Sequence, residues 1–230
     1  LALIDFNAKA YQKALAEAGK YTTYADVKQI IAAVNEKYPA PSEDESNAIR
    51  AVNYASEARY MESSIMVNAS LLNIDRTIYE QLHEVIRREI AQSMIEQPSL
   101  DPLKKYSSVK EIKEAYEQAY QAVSMVPTNI HFVDSDTRAG IVGGEIRWTP
   151  GTEESTVDRY ELLWGADGLP TSTITTLDKQ AGNSYLLPQG TMIPVGATQL
   201  FIRAILQGGT STTAIYTDVK DTFPLAPDNP

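Results

Sequence analysis

The chain has 230 residues, of which 43% are hydrophobic and 22% charged, a composition typical of a globular protein rather than a disordered one. Its 20 Lys and Arg residues face 30 Asp and Glu residues, and the resulting net charge of -10 argues against binding to nucleic acid or to anionic membranes. Cysteine is absent, which excludes disulfides, thiolate metal sites and cysteine nucleophiles.

The composition changes near Pro127. Gly19 is the only glycine of residues 1–126, whereas residues 127–230 hold the other 11 glycines and both tryptophans. The first part is rich in helix-forming residues and the second in turn and strand residues. We therefore predict a two-domain, all-α plus all-β protein. Its predicted parts are a helical bundle at 1–126, a β-sandwich at 127–222 and a Pro-rich tail at 223–230.

Hydrophobic side chains at helical spacing predict about five helices in the first part. The first covers residues 3–18 and stops at Gly19. The third and fourth are each predicted as continuous helices, with buried faces that run from Ile49 to Leu72 and from Ile78 to Ile90. The predicted N-terminal caps of the later helices are Thr23 (with Asp26), Ser42, Asp75 and Ser107 or Ser108.

One helix start is used twice. Residues 21–35 read YTTYADVKQIIAAVN and residues 106–120 read YSSVKEIKEAYEQAY, with a tyrosine, two hydroxyl residues, an acid and a lysine in the same order. This echo indicates repeated helical units.

The second part shows the alternation of half-buried strands, separated by turn residues. Trp148 and Trp164 fall on the inward-pointing positions of two strands, and Gly165–Gly168 is predicted to be a hairpin-type turn. The seven predicted strands lie at 129–133, 141–148, 157–164, 171–177, 183–187, 198–206 and 213–219. This number is typical of a sandwich of the immunoglobulin or fibronectin type III kind, and the lack of a cysteine pair favours the latter.

Few residues suggest catalytic chemistry. His83-Glu84 begins like the zinc motif HExxH, but Arg87 stands where the second histidine belongs, so the motif fails. The glycine run at 140–144 precedes a strand rather than a helix, which predicts a loop or bulge and not a phosphate cradle. No catalytic residues and no cofactor-binding residues are predicted.

Asp134 and Asp136 form the one candidate metal site. A D-x-D pair at the end of a strand can supply oxygen ligands to calcium, which takes six to eight of them. The alternative is that both carboxylates cap the turn that follows. Calcium is therefore the only cofactor that the sequence suggests.

Three motifs of the second part resemble a known module: FVDSDTRAGIVGGEIRWTP at 132–150, VDRYELLWGADG at 157–168 and LPQGTMIPVGATQLFIRA at 187–204. Together they are similar to the fibronectin type III-like modules of large exported surface proteins from Bacillus and Paenibacillus relatives. The residues that carry the resemblance are Phe132, Asp134, Asp136, Gly144, Ile146, Trp148, Thr149, Pro150, Tyr160, Leu162, Trp164, Gly165, Asp167, Ile193, Pro194, Gly196, Ala197 and Thr198. The helical part, through residues 22–35, 71–82 and 106–119, resembles the Ala-rich helical repeats that accompany such modules.

The resemblance implies an extracellular, cell-surface or secreted protein of the S-layer-associated kind. The leading hypothesis is a non-enzymatic structural module of a Gram-positive surface assembly: an S-layer-type lattice, a surface fibre or a spore-surface layer. Its expected partners are other copies of itself or other surface proteins, with cell-wall or host glycans as further candidates. Nucleic acid is not expected, nor is a membrane span. The alternatives are an adhesin or carbohydrate-binding accessory module and, less favoured, a secreted enzyme or toxin.

Overall fold

A computed structural model describes residues 3–20, 23–97 and 106–221 of the chain. The chain divides into two compact units, one of residues 1–79 and 90–119 and the other of residues 80–89 and 120–230. The first contains helices and the second contains all the described strands, so the predicted combination of a helical and a β part is confirmed. The predicted tail at 223–230 lies outside the described residues.

Seven α-helices occur in the described residues, and a short 3₁₀ turn at Asp5–Asn7 precedes the first of them. They are α1 (Ala8–Ala18), α2 (Tyr24–Lys37), α3 (Glu43–Tyr54), α4 (Ala58–Asn68), α5 (Arg76–Gln81), α6 (Glu84–Glu96) and α7 (Val109–Ala122).

The predicted caps are confirmed where the structure describes them. Thr23 Oγ1 accepts the Asp26 N–H while Asp26 accepts the Thr23 N–H, a reciprocal capping box. Ser42 and Glu45 make the same pair at the start of α3. Asp75 accepts the N–H groups of residues 77 and 78 before α5.

The echoed helix start also has a structural counterpart. Ser108 Oγ accepts the Glu111 N–H at 3.2 Å, and Glu111 Oε2 accepts the Ser107 N–H at 2.6 Å. A hydroxyl residue and an acid three positions later therefore begin α7 as they begin α2.

Two predictions of continuous helices were wrong. The predicted third helix is broken after Tyr54, because Ala55 adopts an extended backbone and α4 begins at Ala58. The break lets α4 pack beside α3, and Ser64 Oγ donates to the Ala51 carbonyl at 3.2 Å. The predicted fourth helix is likewise two helices, α5 and α6. Ile78, predicted to be buried, is 48% exposed.

The helical unit has an aliphatic core, beside which a half-buried asparagine joins two distant segments of the chain. Asn53 Oδ1 accepts the Tyr106 N–H at 2.8 Å, and Asn53 Nδ2 donates to the Tyr106 carbonyl at 2.9 Å. The Tyr106 hydroxyl donates to the Met94 carbonyl, and burial raises the pKa of that hydroxyl to about 12. The aliphatic side chains with no exposed surface include Ile49, Met61, Ile65, Leu72, Ile90, Met94 and Ile112.

All seven predicted strands are confirmed, with ends that differ by a few residues. They are β1 (Asn129–Phe132), β2 (Ile141–Thr149), β3 (Val157–Ala166), β4 (Leu169–Asp178), β5 (Ser184–Met192), β6 (Gln199–Leu206) and β7 (Ile215–Asp218). They form two antiparallel sheets, one with the strand order β1-β2-β5 and the other with the order β4-β3-β6-β7.

The inner faces of the two sheets carry the predicted tryptophans. Trp148 on β2 and Trp164 on β3 are both buried, as predicted from their alternating positions, Trp148 with Ile146 and Trp164 with Tyr160 and Leu162. The Trp148 ring lies 5.5 Å from the Tyr160 ring of the other sheet, centroid to centroid. The predicted hairpin turn is also confirmed: Asp167 and Gly168 both have positive φ, which is the backbone of a type I′ turn between β3 and β4.

Candidate functional site

The predicted pair Asp134 and Asp136 lies just after β1, and both side chains are buried. Asp134 Oδ1 accepts two backbone N–H groups, those of Asp136 and Gly143, each at 3.0 Å. Asp136 Oδ2 accepts the Gly190 N–H of β5 at 2.9 Å. The two carboxylates therefore connect the segment after β1 to β2 and to β5.

Asp136 also holds an arginine that follows it in the chain. Its two oxygens accept from Arg138 Nε at 2.9 Å and from Arg138 Nη2 at 2.6 Å, a bidentate ion pair. These bonds hold the pKa of the Asp136 carboxyl well below its usual range, with the backbone N–H groups of Arg138 and Gly190 adding to the effect. Asp136 is therefore a carboxylate at neutral pH.

The glycine run beside this pair forms a bulge, as predicted, although it lies within β2 rather than before it. The register of β2 against β5 shifts between Val142 and Gly144. A Cβ on Gly143 would lie 2.7 Å from the Gln189 Cα, and a Cβ on Gly144 would lie 2.5 Å from the Val133 carbonyl oxygen. The two glycines permit the close backbone approach that places the Gly143 N–H on Asp134.

The groups around Asp134 and Asp136 indicate whether this pair is suited to bind calcium. The hydrogen bonds described above all come from N–H donors, and calcium needs oxygen ligands in place of such donors. Within residues 3–20, 23–97 and 106–221, no group of three or more His, Asp or Glu side chains is placed to hold a metal ion. The geometry favours the turn-capping alternative, and calcium at this pair stays a prediction of the sequence.

The sequence predicts His83, once the zinc motif fails, to be a partly exposed helix residue. It is partly exposed, but the prediction that it lies within a helix was wrong. It lies in the break between α5 and α6, where its Nδ1 accepts the Val85 N–H at 3.2 Å and its carbonyl accepts the Arg87 N–H. The side chain thus caps the start of α6. Arg87, where a zinc motif would need a second histidine, donates instead to the Leu82 and Glu80 carbonyls.

The surroundings of His83 involve β7. His83 Nε2 lies 2.8 Å from the Tyr216 carbonyl, and the Tyr216 hydroxyl donates to the Glu84 carboxylate. Farther along α6, Glu89 accepts from the Thr213 hydroxyl at 2.8 Å. These contacts attach residues 80–89 to the strand unit, within which they lie.

A third region was not predicted from the sequence. The helical unit contains an open cleft of about 730 Å³ between α1, the end of α2 and the start of α7. Five lysines of the described residues line it: Lys9, Lys13, Lys37, Lys110 and Lys113. The sequence holds one signal for this cleft, two pairs of lysines at helical spacing, but the pairs are about a hundred residues apart and only the tertiary fold brings them together.

Comparison with known proteins adds no assignment, since the chain matches no protein-family model and no curated protein.

No helix in the described part of the chain is both long enough and apolar enough to span a membrane.

Proposed function

We propose that the chain is a non-enzymatic structural module of an extracellular or cell-surface assembly, and that it acts through protein–protein contacts with other copies of itself or with other surface proteins. The assembly would be an S-layer-type lattice, a surface fibre or a spore-surface layer. The resemblance to modules of exported Gram-positive surface proteins supports this setting.

The observation that carries the proposal is an apolar end of the strand unit. Leu169, Met192 and Val195 are 68%, 78% and 108% exposed. Single exposed apolar residues are common, but several at one end of a sandwich, here at the start of β4, at the end of β5 and in the connection after β5, mark a contact surface. Hydrogen bonds hold this end together, from the Thr198 N–H to the Gly165 carbonyl and from the Gly168 N–H to the Gln199 side chain.

The neighbouring edge strand supports the same proposal. β4 lies at the border of its sheet and carries no charged side chain from Leu169 to Leu177. Lysines and other charges are the usual protection of a sheet edge against another chain. Bulges at Thr171 and Ile174 interrupt the row of backbone N–H and C=O groups on the outer edge of β4. We therefore expect a partner to contact the side chains of β4 rather than to pair with it as a long additional strand.

The fibronectin type III-like assignment belongs to this proposal. Seven antiparallel strands in two sheets, with aromatic side chains between the sheets, are typical of that architecture. In such a fold the end loops and the sheet edges are the surfaces available to partners. The alternative, a carbohydrate-binding accessory module, needs exposed rings for sugar stacking, and both tryptophans are buried.

Self-association tests the proposal. Light scattering and negative-stain microscopy should show sheets, fibres or concentration-dependent oligomers of the wild-type chain. The variant Leu169→Ser/Met192→Ser/Val195→Ser should shift the association to a higher protein concentration by at least about tenfold, because the apolar contact is lost. Val67→Ser, which removes a similarly exposed apolar side chain from α4, is the matched control.

A wild-type chain that stays monomeric at high concentration would refute assembly through copies of itself. A triple variant that assembles like the control would refute the apolar end as the contact surface.

A further inference from the structure

We infer that the lysine-lined cleft of the helical unit is a binding site for an acidic peptide segment that carries apolar side chains. This inference rests on the proposed function, since it gives the chemistry of one partner in a protein–protein contact. Its starting point is the placement of charge: a chain with a net charge of -10 collects five lysines around one cleft of about 730 Å³.

The cleft is positive because its acidic residues are already engaged. In the described part of the chain, the acidic residues of the lining are Glu45 and Glu111. Glu45 accepts the Ser42 N–H at 2.8 Å and Glu111 accepts the Ser107 N–H at 2.6 Å, so each carboxylate sits on a helix N-terminus whose partial positive charge offsets it. The lysines therefore dominate the field inside the cleft.

Three of the five lysines make ion pairs that are exposed to solvent. Lys13 lies 3.9 Å from Glu17, Lys110 lies 3.6 Å from Glu114, and Lys113 lies 3.6 Å from Glu117. Each pair joins residues four apart within its own helix and is exposed to solvent, and such pairs contribute little to stability. A ligand carboxylate that enters the cleft can therefore replace these glutamates as the partner of the lysines at little cost in free energy.

The spacing of the charges suits a chain with several acids. Lys9 and Lys13 are one turn apart on α1, and Lys110 and Lys113 are one turn apart on α7. On each of these two helices the lysine Cβ atoms are therefore about 5–6 Å apart. This spacing is close to that of acidic side chains on one face of a bound peptide. Among the residues that the structure describes, no arginine lines the cleft, so the lining there lacks the bidentate clamp typical of phosphate recognition.

The remaining lining is largely apolar and calls for an apolar anchor. Phe6, Tyr38 and the prolines Pro39 and Pro41 form much of it. A volume of about 730 Å³ has room for one or two large side chains. Chloride and simple oligoanions can pair with the lysines but leave this apolar surface exposed, whereas an acidic peptide with Leu or Phe side chains satisfies both.

Fluorescence anisotropy tests the inference with a labelled synthetic peptide of alternating Glu and Leu, and with the same peptide carrying Gln in place of Glu. We expect the Glu peptide to bind with an affinity that falls as salt is raised, and the Gln peptide to bind at least about tenfold more weakly. Lys110→Gln/Lys113→Gln should lower the affinity for the Glu peptide by about tenfold or more. Lys20→Gln/Lys28→Gln, with the same change in net charge on helical-unit lysines outside the cleft, should leave it unchanged. Circular dichroism verifies that both variants fold.

Three results would overturn the inference: equal affinity of the two peptides, equal loss in the cleft and control variants, or no binding at millimolar peptide. The inference would also be overturned if hexametaphosphate or polygalacturonate displaced the labelled peptide at a lower concentration of negative charge than the unlabelled Glu peptide does. The ligand would then be a phosphate polymer or an acidic glycan, respectively. These results are separable from the proposed function, since self-association through the apolar end can persist when peptide binding fails.

Discussion

His83 Nε2 lies 2.8 Å from the carbonyl oxygen of Tyr216, while His83 Nδ1 accepts the Val85 N–H. Since Nδ1 is an acceptor, the ring proton must be on Nε2, which donates to the carbonyl. The neutral ring thus serves two contacts at once, capping α6 and bonding to β7. Desolvation by burial lowers its pKa, which outweighs the opposite effects of the Tyr216 carbonyl and of Glu84.

A dependence of stability on pH follows from this neutral histidine. Its pKa is lowered in the folded chain, whereas an unfolded histidine titrates near about 6.5. As the pH falls through that value the unfolded chain gains the proton first, so the free energy of unfolding decreases, and the loss levels off below the folded pKa. Thermal melts between about pH 7.5 and about pH 5 should show this loss.

The variant His83→Asn isolates the histidine, because asparagine can cap a helix but does not titrate. We expect a flatter pH profile for His83→Asn than for the wild type. Identical profiles for the wild type and His83→Asn would contradict the assignment.

Removal of the Asp134 carboxylate should destabilise the strand unit. Asp134→Ala leaves the buried N–H groups of Asp136 and Gly143 without their acceptor, at a cost of about 1–3 kcal/mol. Asp134→Asn keeps an acceptor oxygen and should cost less. Urea denaturation measures both, and equal losses in the two variants would show that charge rather than hydrogen bonding matters at this position.

Calcium can be tested on the same unit. The N–H donors around Asp134 and Asp136 lead us to expect no change in the melting temperature when millimolar calcium is added or removed with a chelator. A bound ion at a hundredfold excess over its Kd would stabilise the fold by about 2.7 kcal/mol, which a melt detects. A calcium-dependent rise that Asp134→Asn abolishes would establish the calcium site that the sequence suggests.

The close backbone approach at Gly143 predicts a large effect of a small substitution. Gly143→Ala places a methyl carbon 2.7 Å from the Gln189 Cα, which is backbone and cannot rotate away. We expect a loss of about 1–3 kcal/mol in the free energy of unfolding. Gly140→Asn is the control, because the space there is open and asparagine tolerates positive φ. A Gly143→Ala variant as stable as the control would show that β5 can move aside.

Much of the strand unit is predictable from the sequence because its signals are local. Alternation places Trp148 and Trp164 inside, and an Asp-Gly pair between two strands specifies the hairpin turn. The helix breaks were missed because residues 55–57 and 82–83 contain neither proline nor glycine. There the chain is interrupted by tertiary contacts, the packing of α4 on α3 and the bond from His83 to Tyr216.

The candidate sites likewise combine residues that the sequence reveals with contacts that only the tertiary fold creates. Asp134 and Asp136 could be selected from their spacing, but their partners Gly143 and Gly190 are brought close only by the pairing of β2 with β5. The cleft needs contact between helices from the two ends of the helical unit, and no pattern within either helix specifies that contact.

The two borders of the four-stranded sheet differ in a way that amide exchange in deuterium oxide would reveal. At one border the Tyr216 carbonyl of β7 is occupied by His83, while at the other the outer side of β4 is interrupted by bulges and pairs with no strand among the described residues. Outward amides of β4 exchange through small fluctuations, whereas those of β3 and β6 need larger openings. Amide exchange is therefore expected to be faster along the outer side of β4 than in β3 and β6. If exchange along β4 becomes slower when the chain associates, a partner has bound at that edge.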